Sequence, residues 1–171
     1  IIKILKKMGA KIILKNKRLY KGEEISDIFI KSSNSLKSIN CPENYNASAI
    51  DEFLIIFLVA AKAKGYSYFK NLSELNKKES PRLEMATKIL KMMGIKIYRN
   101  KDSIKILGNP RLSLNKTYKI KNFYNDHRVF MMSVIAALCF GGKWKIHNKN
   151  SIKTSFPEFL NLTKFLGAKY N

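Results

Sequence analysis

A short segment built around a glycine occurs three times along the chain and limits the folds that the chain can adopt. The copies read ILKKMGAKI at residues 4–12, ILKMMGIKI at residues 89–97 and, in shorter form, FLGAKY at residues 165–170. An apolar run closed by glycine is typical of the end of a helix, and the residues after it indicate the start of a strand. The sequence therefore predicts a domain assembled from similar helix and strand units.

A second pattern recurs between these copies. Asp51 opens an apolar helix that ends near Gly65, and Asp126 opens another that ends at Gly141, each followed by a strand. Helices that are apolar almost all round are buried on most sides. Tyr118 and Ile120 alternate with lysines, so one face of that strand is expected to meet water. The predicted class is α/β (α+β), with helices inside and sheets outside.

Two further helices carry start signals. Ser80 is the expected N-cap of one of them, with Pro81 at the first helical position. Ser155 is expected to cap the last helix, with Glu158 completing a capping box. The first of these helices is predicted to be amphipathic, because its apolar residues follow a 3,4,3 spacing. They are Leu83, Ala86, Leu90 and Met93.

The net charge of +21 is the strongest signal in the composition. Such a charge suggests an anionic partner, which could be nucleic acid, a membrane surface or a phosphorylated metabolite. The lysines are scattered, however, and neither arginine clusters nor interleaved exposed aromatic residues are evident. We therefore expect the lysines to cover the wet faces of the strands, and we predict no nucleic-acid partner.

Several classes of protein are disfavoured by what the sequence lacks. The apolar runs at residues 53–61 and 129–140 are shorter than the roughly 20 residues that span a bilayer, so no membrane association is expected. Cys41 and Cys139 lie far apart without a secretory leader, which favours the cytoplasm. No spacing suited to zinc and no glycine-rich phosphate loop is present, so no metal site is predicted.

Three polar clusters each precede or begin a predicted helix, where free backbone N–H groups and the helix dipole favour anions. They are Asp51-Glu52, residues 77–82 and residues 126–128. Each alone has an ordinary explanation as an N-cap, a complement to the dipole or a solvated charge. Together they could form a receptor for phosphate and carboxylate groups that also contains acid and base groups.

Four ordered motifs carry a resemblance to a known family. NASAIDEF at residues 46–53, LSELNKKESPR at 72–82, NDHR at 125–128 and TSFPEF at 154–159 resemble 5-enolpyruvylshikimate-3-phosphate synthases in order and spacing. The ending is similar to that of the bacterial glyphosate-insensitive class. The resemblance implies an inside-out α/β barrel domain of repeated units. Residues 1–171 would form most of this C-terminal domain, and the partner N-terminal domain would be absent.

The resemblance also implies an activity and the residues that perform it. The family transfers the enolpyruvyl group of phosphoenolpyruvate to a hydroxyl of shikimate 3-phosphate and releases phosphate, without a cofactor. By resemblance, Asp51 contacts the attacking hydroxyl and accepts its proton, and Lys78 lies between the two substrates. Glu79 gives a proton to the methylene carbon. Arg82 and Arg128 grip phosphoenolpyruvate, since a guanidinium group suits paired oxygens.

Four residues depart from the family pattern, namely Leu54, Asn76, Pro81 and Phe130, and they suggest a reduced rate. Lys153 lies one position from a family lysine and is not counted as a site. We expect the fragment alone to be inactive and the complete enzyme to be a monomer. Two alternatives stay open: UDP-N-acetylglucosamine enolpyruvyl transferase, and a relic of the fold that binds anions or nucleic acid without catalysis.

Overall fold

The structure is a computed structural model that describes residues 1–33 and 35–170. The helices are α1 (Ile2–Lys7), α2 (Asn46–Ala49), α3 (Phe53–Lys62), α4 (Arg82–Met92), α5 (His127–Phe140) and α6 (Phe159–Phe165). The strands are β1 (Lys11–Tyr20), β2 (Glu23–Lys31), β3 (Gly65–Phe69), β4 (Lys96–Arg99), β5 (Ile104–Gly108), β6 (Leu114–Ile120) and β7 (Gly141–Ile146). Short 3-10 turns occupy Glu43–Tyr45, Ser73–Lys77 and Lys149–Ile152.

Within the described ranges the strands form three small sheets. β1 and β2 make an antiparallel hairpin, and β6 pairs with β7 in parallel. In the middle sheet β5 lies between β3 and β4 and is antiparallel to both. Lys37 and Asn40 add parallel bridges to Lys64 and Tyr68 beside β3. The middle sheet therefore combines parallel pairing at one edge with an antiparallel pair at the other.

The long helices lie inside the molecule, as the sequence predicts. Residues on all sides of α3 are buried, and half of the residues of α5 are buried as well. On β6, Tyr118 and Ile120 point into the core while Lys119 is exposed. The amphipathic pattern of α4 is also confirmed, since its four expected core residues are buried. They are Leu83, Ala86, Leu90 and Met93.

Close packing fixes the position of α3 on the middle sheet. The ring of Phe69 on β3 meets those of Phe53 and Phe57 at centroid distances of 5.9 and 5.1 Å. At Gly108 on β5 an added Cβ would lie 2.0 Å from the carbonyl oxygen of Ala63. Because backbone groups cannot yield that space, only glycine fits there. The end of α3 is thus held against β5, and its first residue packs against β3 of the same sheet.

The hairpin of β1 and β2 is the least buried part of the fold. Ile12 is the sole buried residue of β1, and β2 has none among its residues Glu23–Lys31. Asp27 accepts a hydrogen bond of 2.7 Å from the Asn16 side chain, and Arg18 lies 3.7 Å from the same carboxylate. The first repeat unit therefore contributes a projecting ribbon and little core.

Three of the predicted element boundaries are wrong. α3 begins at Phe53 and α4 at Arg82, and neither Asp51 nor Ser80 caps its helix. α6 begins at Phe159, so Ser155 does not cap it and Glu158 makes no capping box. The third glycine repeat ends without a strand in residues 168–170. In contrast, Asp126 caps α5 as predicted, since its side chain accepts the backbone N–H of Arg128.

The described residues contain no helix that is both long enough and apolar enough to cross a membrane. Cys41 is buried and Cys139 is exposed, and both are free thiols. Burial raises the pKa of both thiols, although the charge of Lys62 partly opposes this at Cys139. Neither cysteine is therefore activated as a nucleophile.

Candidate active site

The starts of α3, α4 and α5 meet on one side of the core. Asp51 lies just before α3, and Lys78 and Glu79 lie in the segment that leads into α4. Arg82 is the first residue of α4, and Arg128 is in the first turn of α5. A connected set of ion pairs joins all five predicted site residues. The structure thus brings together residues that are up to 77 positions apart in sequence.

Arg82 is the centre of this cluster, and its side chain is only 2% exposed. Its Nε donates to Oδ2 of Asp126 at 2.9 Å, and its Nη1 donates to Oδ1 of Asp51 at 2.9 Å. Its Nη2 donates to Oε2 of Glu79. Its Nη2 also donates to Oδ1 of Asp126 at 3.4 Å, so every nitrogen of the guanidinium group is bound to at least one carboxylate.

Asp126 is a site residue that the sequence analysis treated only as a helix cap. It is 1% exposed and accepts hydrogen bonds from Ser80 Oγ at 2.8 Å and from the Arg128 backbone N–H at 2.9 Å. Burial would raise the pKa of Asp126, but hydrogen bonds from Arg82 and Ser80 outweigh it and hold the pKa below its usual value. Asp126 therefore stays ionised and links Arg82 to the start of α5.

Ser80 owes its burial to this carboxylate and not to a helix cap. The sequence prediction of an N-cap followed the common Ser-Pro start signal. In the structure Pro81 occupies the cap position with ψ of 76°, and no side chain caps the helix. The Ser80 hydroxyl instead reaches across to Asp126, which is 46 residues away.

Asp51 lies among three cations at the exposed side of the cluster. Its carboxylate is 3.6 Å from Nζ of Lys78 and 3.7 Å from Nη2 of Arg128, in addition to its bond with Arg82. Burial would raise the pKa of this carboxyl, but the charges of Arg128, Lys78 and Arg82 outweigh it and lower the pKa. Asp51 is 38% exposed, so a ligand from solvent can reach it.

Arg128 spans the gap between α5 and the segment before α3. Its Nη1 donates to the backbone carbonyl of Asp51 at 2.8 Å and lies 3.8 Å from Glu52. Its side chain is 30% exposed, as is that of Lys78. These two cations therefore face solvent, while Arg82 does not.

The cluster contains four carboxylates and three cations, although the chain as a whole is strongly basic. An anion that takes both Nη atoms of Arg82 displaces the carboxylates now bound there. Glu79 is 55% exposed and Asp51 is 38% exposed, whereas the Asp126 side chain is 0% exposed. Glu79 and Asp51 are the partners that can move away. The carboxylates are Asp51, Glu52, Glu79 and Asp126, and the cations are Lys78, Arg82 and Arg128.

The four departures from the family pattern lie around the cluster without removing any of its charges. Leu54 and Phe130 are buried in the core, at 2% and 3% exposure. The amide nitrogen of Asn76 donates to the Lys101 carbonyl at 3.3 Å, while its buried amide oxygen has no partner among the described residues. Pro81 lies immediately before the first residue of α4. Their effects are therefore on packing and on the entry to α4.

Comparison with known proteins identifies relatives of this arrangement. The family model for EPSP synthase (3-phosphoshikimate 1-carboxyvinyltransferase) matches residues 1–162. The chain is 39% identical over 165 residues to the 3-phosphoshikimate 1-carboxyvinyltransferase of Thermodesulfovibrio yellowstonii, which covers 96% of the chain and 37% of that relative. It is 37% identical over 171 residues to that of Ruthia magnifica, with 100% and 38% coverage.

Solved structures give the same result. The EPSP synthase of Acinetobacter baumannii superposes with a TM-score of 0.89 at 38% identity, over 96% of this chain and 38% of that one. The enolpyruvyl transferase NikO of Streptomyces tendae, at 16% identity and a TM-score of 0.66, shares the fold. This chain thus spans somewhat more than a third of the length of these relatives. The chain belongs to the EPSP synthase family.

Proposed function

We propose that this chain is the C-terminal part of an enzyme that transfers the enolpyruvyl group from phosphoenolpyruvate to a hydroxyl of shikimate 3-phosphate. The observation that carries the proposal is the ion-pair cluster at the starts of α3, α4 and α5. This cluster holds three partly exposed carboxylates and two partly exposed cations around a buried arginine. Addition of a hydroxyl to an enol ether needs an acid, a base and groups that bind the phosphate and carboxylate.

Arg82 and Arg128 are the proposed ligands of phosphoenolpyruvate. A carboxylate or phosphate that approaches Arg82 takes the place of Glu79 or Asp51 on the Nη atoms. The bond between Arg82 Nε and Asp126 can remain, because it uses another edge of the guanidinium group. Asp126 therefore acts as a positioning residue that aims the arginine at the substrate. A guanidinium fixed in this way loses little conformational freedom when it binds paired oxygens.

Glu79 is the proposed proton donor to the methylene carbon of phosphoenolpyruvate. Protonation of that carbon makes the adjacent carbon electrophilic, and the substrate hydroxyl then attacks it. Glu79 is now held as a carboxylate partner of Arg82. Displacement from Arg82 by the substrate releases the Glu79 carboxyl from this ion pair. Substrate binding thus frees the proposed acid.

Asp51 is the proposed acceptor of the hydroxyl proton. In the structure the pKa of Asp51 is lowered by its cations, and a carboxyl with a low pKa is a weak base. Arg82, Arg128 and Lys78 neutralise less of its charge once they bind the substrate phosphates. The basicity of Asp51 then rises, and the proton can pass from the hydroxyl to its carboxylate. Loss of a proton from the new methyl group and departure of phosphate from the adjacent carbon then restore the double bond and complete the transfer.

The complete enzyme requires more than this chain, which covers about 37% of the relative from Thermodesulfovibrio yellowstonii. We propose that residues 1–171 form most of one domain and that an N-terminal domain supplies further contacts to shikimate 3-phosphate. The local excess of carboxylates supports this, since substrate anions need more positive charge than the cluster has to spare. The two free cysteines fit the reducing cytoplasm.

Phosphate release from the complete gene product, measured with phosphoenolpyruvate and shikimate 3-phosphate, tests the proposal. Turnover is expected with this pair, and Glu79→Gln and Asp51→Asn are each expected to reduce kcat by about 10²-fold or more. Circular dichroism should show that both variants keep the fold, although Asp51→Asn should lose some stability because Asp51 pairs with the buried Arg82. Turnover with a UDP-sugar in place of shikimate 3-phosphate, or with neither acceptor, would reject the assignment.

A further inference from the structure

The outer face of the middle sheet carries tyrosines and lysines in register. On β5, Lys105 lies directly opposite Tyr68 of β3 on one side and Tyr98 of β4 on the other. In the next row, Tyr66 and Lys96 flank Leu107. Side chains alternate between the two faces of a strand, so all six residues point away from the core. We call them the tyrosine face; its members are Tyr66, Tyr68, Lys96, Tyr98, Lys105 and Leu107.

The rings of the tyrosine face are accessible and lie close to positive charges. Tyr66 is 43% exposed and Tyr98 is 50% exposed, with ring centroids 6.3 Å apart. Nζ of Lys105 is 4.6 Å from the centroid of Tyr66, and Nζ of Lys96 is 5.6 Å from that of Tyr98. A planar aromatic ligand can therefore meet a ring and an ammonium group at the same place.

A shallow depression of about 220 Å³ opens on this face. It is lined by Tyr68, Tyr98 and Lys105, with Asn100 and Ser103 at one end. Pockets for drug-sized ligands usually measure about 300–1,000 Å³, so this one suits a smaller planar group. The amide and the hydroxyl at its end are able to form hydrogen bonds with the edge of such a group.

The sheet of β6 and β7 provides a contrast within the same molecule. Lys119 pairs with Lys145 on its exposed face, and Thr117 pairs with Lys143. The aromatic residues of these strands, Tyr118 and Trp144, alternate with the exposed lysines, and their rings stack at 4.7 Å. This face has positive charge without exposed rings. Exposed rings beside lysines also occur on the β1–β2 hairpin, at Phe29 and Tyr20. What distinguishes the tyrosine face is that its tyrosines and lysines lie in register across three strands, beside a depression.

We propose that the tyrosine face binds single-stranded nucleic acid, with bases stacked on the tyrosines and phosphates neutralised by the lysines. The sequence analysis expected no such partner because exposed aromatic residues did not appear interleaved with basic ones. The interleaving arises across strands, from the register of β3, β5 and β4, and not along the chain. Sheets that bind RNA use the same physics, in which aromatic rings on an open face stack on unpaired bases.

The geometry of the tyrosine face also favours single-stranded over duplex nucleic acid. Bases in a duplex are stacked on each other and cannot reach a flat protein face, whereas those of a single strand can. Lys70, whose Nζ lies 5.0 Å from the centroid of Tyr68, adds a third cation to Lys96 and Lys105. Three phosphate contacts on a single strand give a slope of about −2 in a plot of log affinity against log salt.

Fluorescence anisotropy of labelled oligo(U) and oligo(dT) with the 171-residue chain tests this inference, with a duplex of equal length and inorganic polyphosphate as competitors. Single strands are expected to bind at least about tenfold more tightly than the duplex. Polyphosphate, which carries charge but no bases, is expected to compete poorly. Equal binding of single strands, duplex and polyphosphate would mean that the net charge alone attracts them, and would overturn the proposal.

Variants of the two sheets test whether binding depends on the tyrosine face or on the basic surface in general. Tyr98→Ile keeps a residue suited to a strand and is expected to weaken binding about tenfold while the salt slope stays unchanged. Lys96→Gln with Lys105→Gln is expected to reduce the slope by about 1.4. The matched control, Lys119→Gln with Lys145→Gln, removes the same charge from the β6–β7 sheet.

The control is expected to change affinity less than about twofold, and circular dichroism will show whether each variant keeps its fold. If the control weakens binding as much as the Lys96 and Lys105 variant, or if Tyr98→Ile binds as well as the parent, the tyrosine face is not the site. Neither result bears on the enolpyruvyl transferase assignment, because the tyrosine face contains none of the five predicted site residues.

Discussion

Two sets of ion pairs involve residues of the same helix, α4. Their nitrogen-to-oxygen distances are similar, but their burial is very different. At its first residue, Arg82 is 2% exposed and is bound by carboxylates at 2.9 Å from Asp51 and Asp126. Further along, Lys88 lies 2.7 Å from Glu84, at 65% and 39% exposure. Water screens the second pair and not the first. We therefore expect burial, and not the distance between the charged atoms, to decide how much each set of ion pairs contributes to the free energy of unfolding.

The buried set is also interdependent, whereas the exposed pair is not. Removal of one partner from a buried cluster leaves the others without compensation in a medium that solvates charge poorly. Removal of Lys88 leaves Glu84 in contact with solvent. Four measurements, taken from the largest expected effect to the smallest, test whether this contrast holds.

The largest effect is expected from Arg82→Met, which leaves the buried carboxylate of Asp126 without a cation. The free energy of unfolding should fall by about 3–5 kcal/mol. Urea unfolding followed by circular dichroism measures it, with Lys88→Met as the matched control on the same helix. A loss no larger than that of the control would show that burial does not distinguish the two sets.

A smaller loss, about 1.5–3 kcal/mol, is expected from Asp126→Asn. Asparagine caps a helix as well as aspartate does, so the start of α5 is retained and the loss reports the bond with Arg82. In a double-mutant cycle, Arg82→Met combined with Asp126→Asn should lose less than the sum of the two single variants. Additive losses would contradict a coupled cluster.

Acid should remove the stability that the buried set contributes. The pKa values of Asp51 and Asp126 are lowered in the folded state. Their contribution is therefore present above the unfolded pKa of about 3.9 and is lost as the pH falls through the folded pKa. The free energy of unfolding should decline below about pH 4, and Asp126→Asn should flatten that decline. An equal decline in parent and variant would argue against this role of Asp126.

The smallest effect is expected from Lys88→Met. Methionine and lysine have similar helix propensities, so the change in the free energy of unfolding isolates the pair with Glu84. It should be about 0.3–0.5 kcal/mol and should disappear in about 1 M salt. A larger or salt-independent loss would mean that this exposed pair behaves like the buried one.

The sequence contains enough to predict the architecture, whereas the five candidate site residues are implied by the resemblance to the family and stay a prediction. Apolar residues that recur at the helical period identify α3, α4 and α5 as internal, because burial is the main determinant of that pattern. Periodicity does not show that the starts of these helices meet, because helices that pack side by side can run in opposite directions. That the five candidate residues lie together is a finding of the structure.

The partners of the buried groups were not predictable in the same way. Ser80 followed by Pro81 matches a local signal for the start of a helix. In the structure the Ser80 hydroxyl instead donates to Asp126, because a buried carboxylate needs hydrogen-bond donors. The tyrosine face was missed for a related reason. Tyr66 and Tyr98 become neighbours only through the register of three strands, which alternation along one strand does not specify.

The double role of Asp126 has a spectroscopic consequence. Its carboxylate holds Arg82 and also accepts the backbone N–H groups of Arg128 and Val129, at 2.9 and 3.4 Å. Any ligand that draws charge from Arg82 alters the electron density on those shared oxygens. The ¹⁵N resonances of these two amides therefore act as built-in sensors of site occupancy, readable in a complete enzyme without a label on the substrate.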